Sequence, residues 1–332
     1  MLHRLASLDL IVKTDVHNHA IPERALDLLN RDPIYRAAVE GRRLTSSIHP
    51  DFELAESFTD PAAKLRELDS NGLDAAVVSV APPLFYYEVD AAAGLAMAGA
   101  VNDGLAEFCA GAPDRLRWLA AVPLQDPARA SEELERAAGL GCVGVEVATS
   151  VADGRRLDEP ELEPFWAAAG RLRLPVTLHP AYVPSHPGLK AFYLQNVLGF
   201  LFETSVAIER LICAGVLDRN PDVEIVLVHA GGYFPYQAGR LRHARTVRPE
   251  LAESPDDPWA YLDRIWFDVI THDPAALGYL VERVGPGRVV MGTDLPFDMA
   301  PPEPLRLLAD AVDEDTAARI AEANPAALYP AR

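Results

Sequence analysis

The sequence predicts an α/β protein of one domain over residues 1–332, a (β/α)8 TIM barrel with a helical or loop insertion after strand 1, and three observations carry that expectation. Eight short runs rich in Val, Ile and Leu are spread along the chain, at 13–19, 75–80, 116–123, 142–148, 175–179, 224–229, 265–270 and 289–294. Stretches with apolar residues every three to four positions separate them, among them 128–139, 162–172, 204–218 and 274–284. Apolar strands joined by helices pair in parallel with both faces covered, and 332 residues hold eight such units with added loops. An open doubly wound sheet is the competing arrangement, but no glycine-rich turn follows the first strand, so its dinucleotide-binding form has no support. Residues 30–60 are far longer than an ordinary βα loop and are expected to form a lid or small subdomain.

Taken in order, the strands end in polar residues. The first carries Asp15-Val16-His17-Asn18-His19, which puts two imidazoles at i and i+2 on one face of the strand. Alone, this pair equally fits a strand cap or a local hydrogen bond. Strand 5 ends in His179-Pro180, strand 6 in His229-Ala230-Gly231-Gly232 and strand 8 in Thr293-Asp294-Leu295-Pro296. The carboxyl ends of barrel strands open onto one face, so His17, His19, His179, His229 and Asp294 are expected to converge there. Imidazole nitrogen and carboxylate oxygen suit Zn2+, with Mn2+ or Fe2+ as other fits, and point to a catalytic ion.

Composition excludes several classes. Apolar residues make 49% of the chain and charged ones 24%, enough for a sizeable core and too apolar for wholesale disorder. Forty-nine acidic against thirty basic residues give a net charge of −19, which repels nucleic acid and anionic membrane surfaces. No run approaches the ~20 apolar residues of a membrane span, and residues 1–12 lack the small-residue cleavage site of a secretory leader. Cys109, Cys142 and Cys213 are widely spaced in apolar runs and read as buried hydrophobes, which makes a reducing, cytoplasmic setting the default.

Five motifs in order, the HxH of strand 1, His179-Pro180, HAGG…FPYQAGR, FDVITHDP and GTDLPF, resemble the amidohydrolase superfamily over 12–329. More narrowly, they are similar to the 2-amino-3-carboxymuconate-6-semialdehyde decarboxylase group of metal-dependent, non-oxidative decarboxylases. The resemblance implies that His17, His19, His179 and Asp294 are metal ligands and that His229 is the acid/base histidine beside a metal-bound water. It implies a homodimer in which Arg240 reaches the neighbouring active site and holds a substrate carboxylate; a solvated helix face is the other reading of Arg240. His272 would lie just behind the ligands, or else only precede a helix capped by Asp273. Phe85 and Phe297 are expected as pocket wall, or as ordinary packing.

The expected activity is decarboxylation of a small carboxylated aromatic or muconate-type acid, with His229 and Asp294 catalytic. Two departures shape the pocket. Where the muconate-semialdehyde enzymes carry an arginine before a Trp-Asp-Pro, this chain reads Ala55-Glu56-Ser57-Phe58-Thr59-Asp60-Pro61, so Glu56 would oppose an anionic substrate unless Arg42 or Arg43 supplies the contact. The stretch 191–196 is also poorer in tryptophan than in that group. Hydrolysis of a lactone, amide or ring C–N bond is the rival reaction. Strand 4 lacks the lysine of many two-metal hydrolases, but its Glu146 would serve a second ion or else pair with a ligand histidine. An inactive barrel used as a binding scaffold is the non-enzymatic reading, and no expected ligand is missing to favour it.

Overall fold

A computed structural model of the chain describes residues 12–49, 51–255 and 257–330; the expectation about a leader falls, save for Val12, outside them. In chain order the strands are β1 (Thr14–Ala20), β2 (Ala37–Glu40), β3 (Arg43–Ser46), β4 (Phe52–Glu53), β5 (Ala75–Val80), β6 (Leu116–Ala120), β7 (Gly144–Ala148), β8 (Val176–His179), β9 (Ile225–Leu227), β10 (Ile265–Asp268) and β11 (Val289–Val290). β1 and β5 to β11 form one eight-stranded sheet in that order, every pair parallel. The ends of the sheet meet where Val16 N–H donates to the Met291 carbonyl at 2.9 Å and His19 N–H to the Leu295 carbonyl at 2.8 Å. The expected (β/α)8 barrel is therefore the observed one.

Helices connect the strands: α1 (Glu23–Arg31), α2 (Glu56–Thr59) and α3 (Pro61–Ser70) between β1 and β5, then α4 (Ala91–Ala110), α5 (Pro127–Gly139) and α6 (Glu163–Leu172). Next come α7 (Leu201–Cys213), α8 (Val216–Arg219), α9 (Phe234–Val247) and α10 (Pro274–Val284). Local sequence starts several of them. Asp60, Asp126 and Asp273 each accept a first-turn backbone N–H and precede a proline, which needs no hydrogen-bond partner at that position. The helix expected over 204–218 is broken instead, because Gly215 takes φ +66 between α7 and α8.

The insertion differs from the helix or loop expected. Its β2, β3 and β4 form an antiparallel sheet whose hairpin turns at Gly41, φ +61. This small sheet is anchored by aromatic rings: Phe52 meets Phe58 and Phe297, and Phe297 packs edge-on to His19 with centroids 5.3 Å apart. The main core lies between strands and helices, with Phe165, Trp166 and Phe267 wholly buried. A smaller cluster joins Val77, Leu119, Val226, Trp266 and Val290 to Leu328 and Tyr329, as side chains filling a barrel do. Among the described residues, no helix is long and apolar enough to cross a membrane.

Candidate metal centre

The five side chains read from the strand ends meet. Ring centroids of His17 lie 5.2 Å from His19, 5.2 Å from His179 and 5.3 Å from His229, and His179 lies 5.1 Å from His229. Asp294 faces them: its Oδ1 is 3.0 Å from His19 Nε2 and 3.4 Å from His17 Nε2, and its Oδ2 is 3.5 Å from His229 Nε2. Donor atoms of His17, His179, His229 and Asp294 all fall within 4.8 Å of one another. The grouping thus takes His229 in beside the expected ligands, while His19 closes the cluster through Asp294.

Backbone geometry aims these groups. β1 bulges between Asp15 and Asn18, and the chain takes left-handed φ at His229 (+53) and Asp294 (+65), turning each side chain inward as its strand ends. Gly292 makes room, since a Cβ there would stand 2.9 Å from the Cβ atoms of both His17 and Asp268.

Hydrogen bonds on the far ring nitrogens fix the tautomers. Asp268 Oδ2 accepts from His17 Nδ1 at 2.7 Å, and the Pro180 carbonyl from His179 Nδ1 at 3.0 Å. Neither oxygen can donate, so each Nε2 presents a lone pair to the cluster when the ring is neutral. His19 Nδ1 lies 3.1 Å from the Ser79 hydroxyl. Asp268 also accepts the backbone N–H groups of His229 and Ala230.

Electrostatics keep the donors in order. Burial would raise the Asp294 carboxyl, but the charge of His17 first, and then the close imidazoles of His19 and His229, hold it well below the usual carboxylate range. Burial pushes His19 down to about 4 and drives His179 well below its ordinary value, so both rings are neutral at pH 7. His17 is the exception: burial opposes its proton, yet Asp294 and Asp268 together push it up to about 9. The residues fit a divalent cation. Nε2 of His17, His19 and His179 and Oδ1 of Asp294 are buried without a hydrogen-bond partner, and they are the atom types that borderline metal ions take.

Other expected residues spread out. Phe85 is buried and stacked on Tyr87 at 5.6 Å, and Phe297 stands beside His19. Arg240 is exposed on α9. The support expected of His272 falls to Asp268: the chain turns outward at His272, φ +57, leaving it exposed, and Asp273 caps α10. Glu56 pairs with Arg66 at 3.2 Å on the surface and puts no charge in the pocket. Arg42 donates to the Leu54 carbonyl and Arg43 to Asp51, so both are engaged within the insertion. Glu146 is buried with neither carboxylate oxygen hydrogen-bonded. Asp268, Ser79 and Gly292 were not singled out by sequence; a carboxylate inside the otherwise apolar Ile265–Ile270 run was the one available signal.

A parallel eight-stranded barrel with histidines and an aspartate at its strand ends defines a class of metal-dependent hydrolases and lyases. The chain belongs to the amidohydrolase family, whose model matches residues 14–331. It is 31% identical over 259 residues to a 2-amino-3-carboxymuconate-6-semialdehyde decarboxylase from Dictyostelium discoideum, covering 77% of this chain and 72% of that one. It is also 31% identical over 254 residues to a gamma-resorcylate decarboxylase from Rhizobium sp. (strain MTP-10005), covering 71% and 76%. Among solved structures, apo IDCase from Metarhizium anisopliae superposes with a TM-score of 0.84 at 26% identity, covering 97% of both chains.

Proposed function

We infer that the chain is a carboxy-lyase that removes carbon dioxide from a small carboxylated aromatic or muconate-type acid with the help of a divalent cation. The observation that carries this reading is its 31% identity, over 77% and 71% of its length, to decarboxylases of those two kinds of substrate. His17, His19, His179 and Asp294 would hold the ion, with Zn2+ the first choice and Mn2+ or Fe2+ the others. Bound there, the cation supplies Lewis acidity toward an oxygen drawn up to it.

The chain's own residues handle the proton. His229 faces Asp294 through Nε2, and its Nδ1 is buried without a partner, so the ring takes or gives a proton at the edge of the cluster. When the C–C bond to the carboxylate breaks, its electron pair stays on the ring or chain carbon. One proton delivered to that carbon by His229, which faces the Asp294 carboxylate, completes the balance, releasing carbon dioxide. Phe85 and Phe297 wall the pocket and exclude water.

A homodimer is part of this proposal, with Arg240 holding a substrate carboxylate in the partner's site. An exposed apolar surface supports it: Phe192 is 91% exposed, Tyr236 on α9 74% and Phe202 on α7 56%. The cysteine pattern, with Cys109 and Cys142 buried, supports a reducing, cytoplasmic setting. The deciding experiment assays carbon dioxide against hydrolysis products on carboxylated aromatics, muconates and lactones, with wild type and His229→Ala. Product formed only by hydrolysis would overturn the reading in favour of a hydrolase.

A further inference from the structure

Asp15 and Asn18 flank the histidines of strand 1, and their side chains open a buried polar path away from the cluster. The register of β1 against β5 advances three residues from Asp15 to Asn18 while β5 advances two, so one residue is extra. Asp15 closes that bulge. Its Oδ1 accepts the His17 backbone N–H and the Thr293 backbone N–H, both at 3.1 Å, and its Oδ2 accepts from Thr293 Oγ1 at 2.5 Å and Asn18 Nδ2 at 2.8 Å. One carboxylate therefore joins the backbone of His17 to the residue before Asp294.

The Asn18 amide is set from behind by α3. Lys64 Nζ donates to Asn18 Oδ1 at 2.7 Å and to Glu67 Oε2 at 2.7 Å, and Glu67 accepts from Ser57 Oγ at 2.7 Å. Asp15, Asn18, Lys64 and Thr293 are all wholly buried. An ammonium only donates, so it fixes which end of the amide faces α3 and leaves the NH2 end for Asp15. A wholly buried lysine is rare without a partner-bound task.

We propose that Lys64 is a positioning residue of the metal centre, acting through Asn18 and Asp15 to hold the bulged strand of His17 and His19 in register with the Asp294 turn. The inference rests on the cation reading above. Without the ammonium, the Asn18 amide is free to turn, Asp15 loses a donor, and the bulge that aims His17 relaxes.

The test titrates metal-free wild type and variants with Zn2+ against a chromophoric chelator, with folding followed by circular dichroism. Wild type that binds no Zn2+, Mn2+ or Fe2+ overturns the cation reading itself, an outcome distinct from those that follow. Lys64→Met removes one partner of an ion pair and is expected to fold with reduced stability, because the Glu67 carboxylate left behind is part-exposed and is hydrated from solvent. It should bind Zn2+ about 10–100-fold more weakly, the usual effect of losing support behind a ligand. Asn18→Ala should show a similar loss, and the double variant no more than either alone, because one residue acts through the other. Additive losses, or a folded Lys64→Met with affinity within about twofold of wild type, overturn the proposal. Should Lys64→Met not fold, Thr293→Val cuts the far end of the path and leaves the ammonium paired; weakened Zn2+ binding supports the proposal, and wild-type affinity overturns it.

Discussion

Asp268 Oδ2 accepts from His17 Nδ1 at 2.7 Å and from the backbone N–H of His229 at 2.8 Å. One oxygen thus sets the ring of one site histidine and the backbone of another. Burial would raise this carboxyl, but the hydrogen bond and charge of His17 bring it below its ordinary value, so it stays an acceptor. Asp268→Asn keeps the volume and turns one acceptor into a donor facing donors. Zn2+ affinity is expected to fall about 10–100-fold, with a further loss of kcat at saturating metal as His229 shifts. Chelator competition and steady-state kinetics read the two effects; a variant unchanged in both would remove Asp268 from the site.

Ligand and acid/base roles separate by what each variant retains. His17→Ala removes a nitrogen whose ring is held by Asp268 and aimed at Asp294, so metal and activity should disappear together. His229→Ala should keep the metal and lose about 10²–10⁴-fold in turnover, the usual contribution of a positioned acid/base. Because His229 stands as close to the cluster as the others, metal analysis of this variant decides between roles. Loss of the ion from His229→Ala would make it a ligand.

Residues at strand ends were legible because a barrel sends every carboxyl end to one face, and His17, His19, His179, His229 and Asp294 needed only their strand positions to be brought together. Residues behind them were not. Asp268 looks in sequence like a misplaced charge in an apolar strand, and Ser79 like one small residue among valines; their partners, 251 and 60 residues away, exist only once the barrel closes. His272 drew notice in the same motif as Asp268, but the left-handed turn that exposes it is a tertiary feature. The insertion was legible as an insertion by its length. Its strands of four, four and two residues were too short to show an alternating pattern over the helical background.

Glu146 predicts a pH dependence. Burial is the main cause that pushes its carboxyl from an ordinary 4.5 up to about 8, only partly offset by His17. The folded chain therefore keeps a proton that the unfolded chain releases between those values. The stabilising contribution of neutral Glu146 is complete below about pH 4.5 and is lost as pH rises through about 8. In metal-free protein, Glu146→Gln should lose less stability between pH 5 and 8 than wild type, by up to about 1.4 kcal/mol per pH unit. Urea unfolding across that range checks it, and equal slopes would mean that the carboxyl is ionised and hydrated in the fold.

Arg240 gives a test of shared sites. It is exposed on α9, the helix that also carries exposed Tyr236, and the dimer proposal gives it work in the partner's pocket. Arg240→Ala should raise KM for a carboxylated substrate while leaving the fold and metal content unchanged, and alone it should lose most activity at low substrate. Mixing it with His229→Ala, after dissociation and reassembly, then has a definite outcome. In each mixed dimer, one pocket has an intact His229 and receives an intact Arg240 from across the interface, and the other pocket lacks both. Random exchange makes half the dimers mixed, so about one quarter of the wild-type sites should return, from two variants that are each impaired alone. Activity no greater than the average of the separate variants would confine Arg240 to its own protomer or to the solvent.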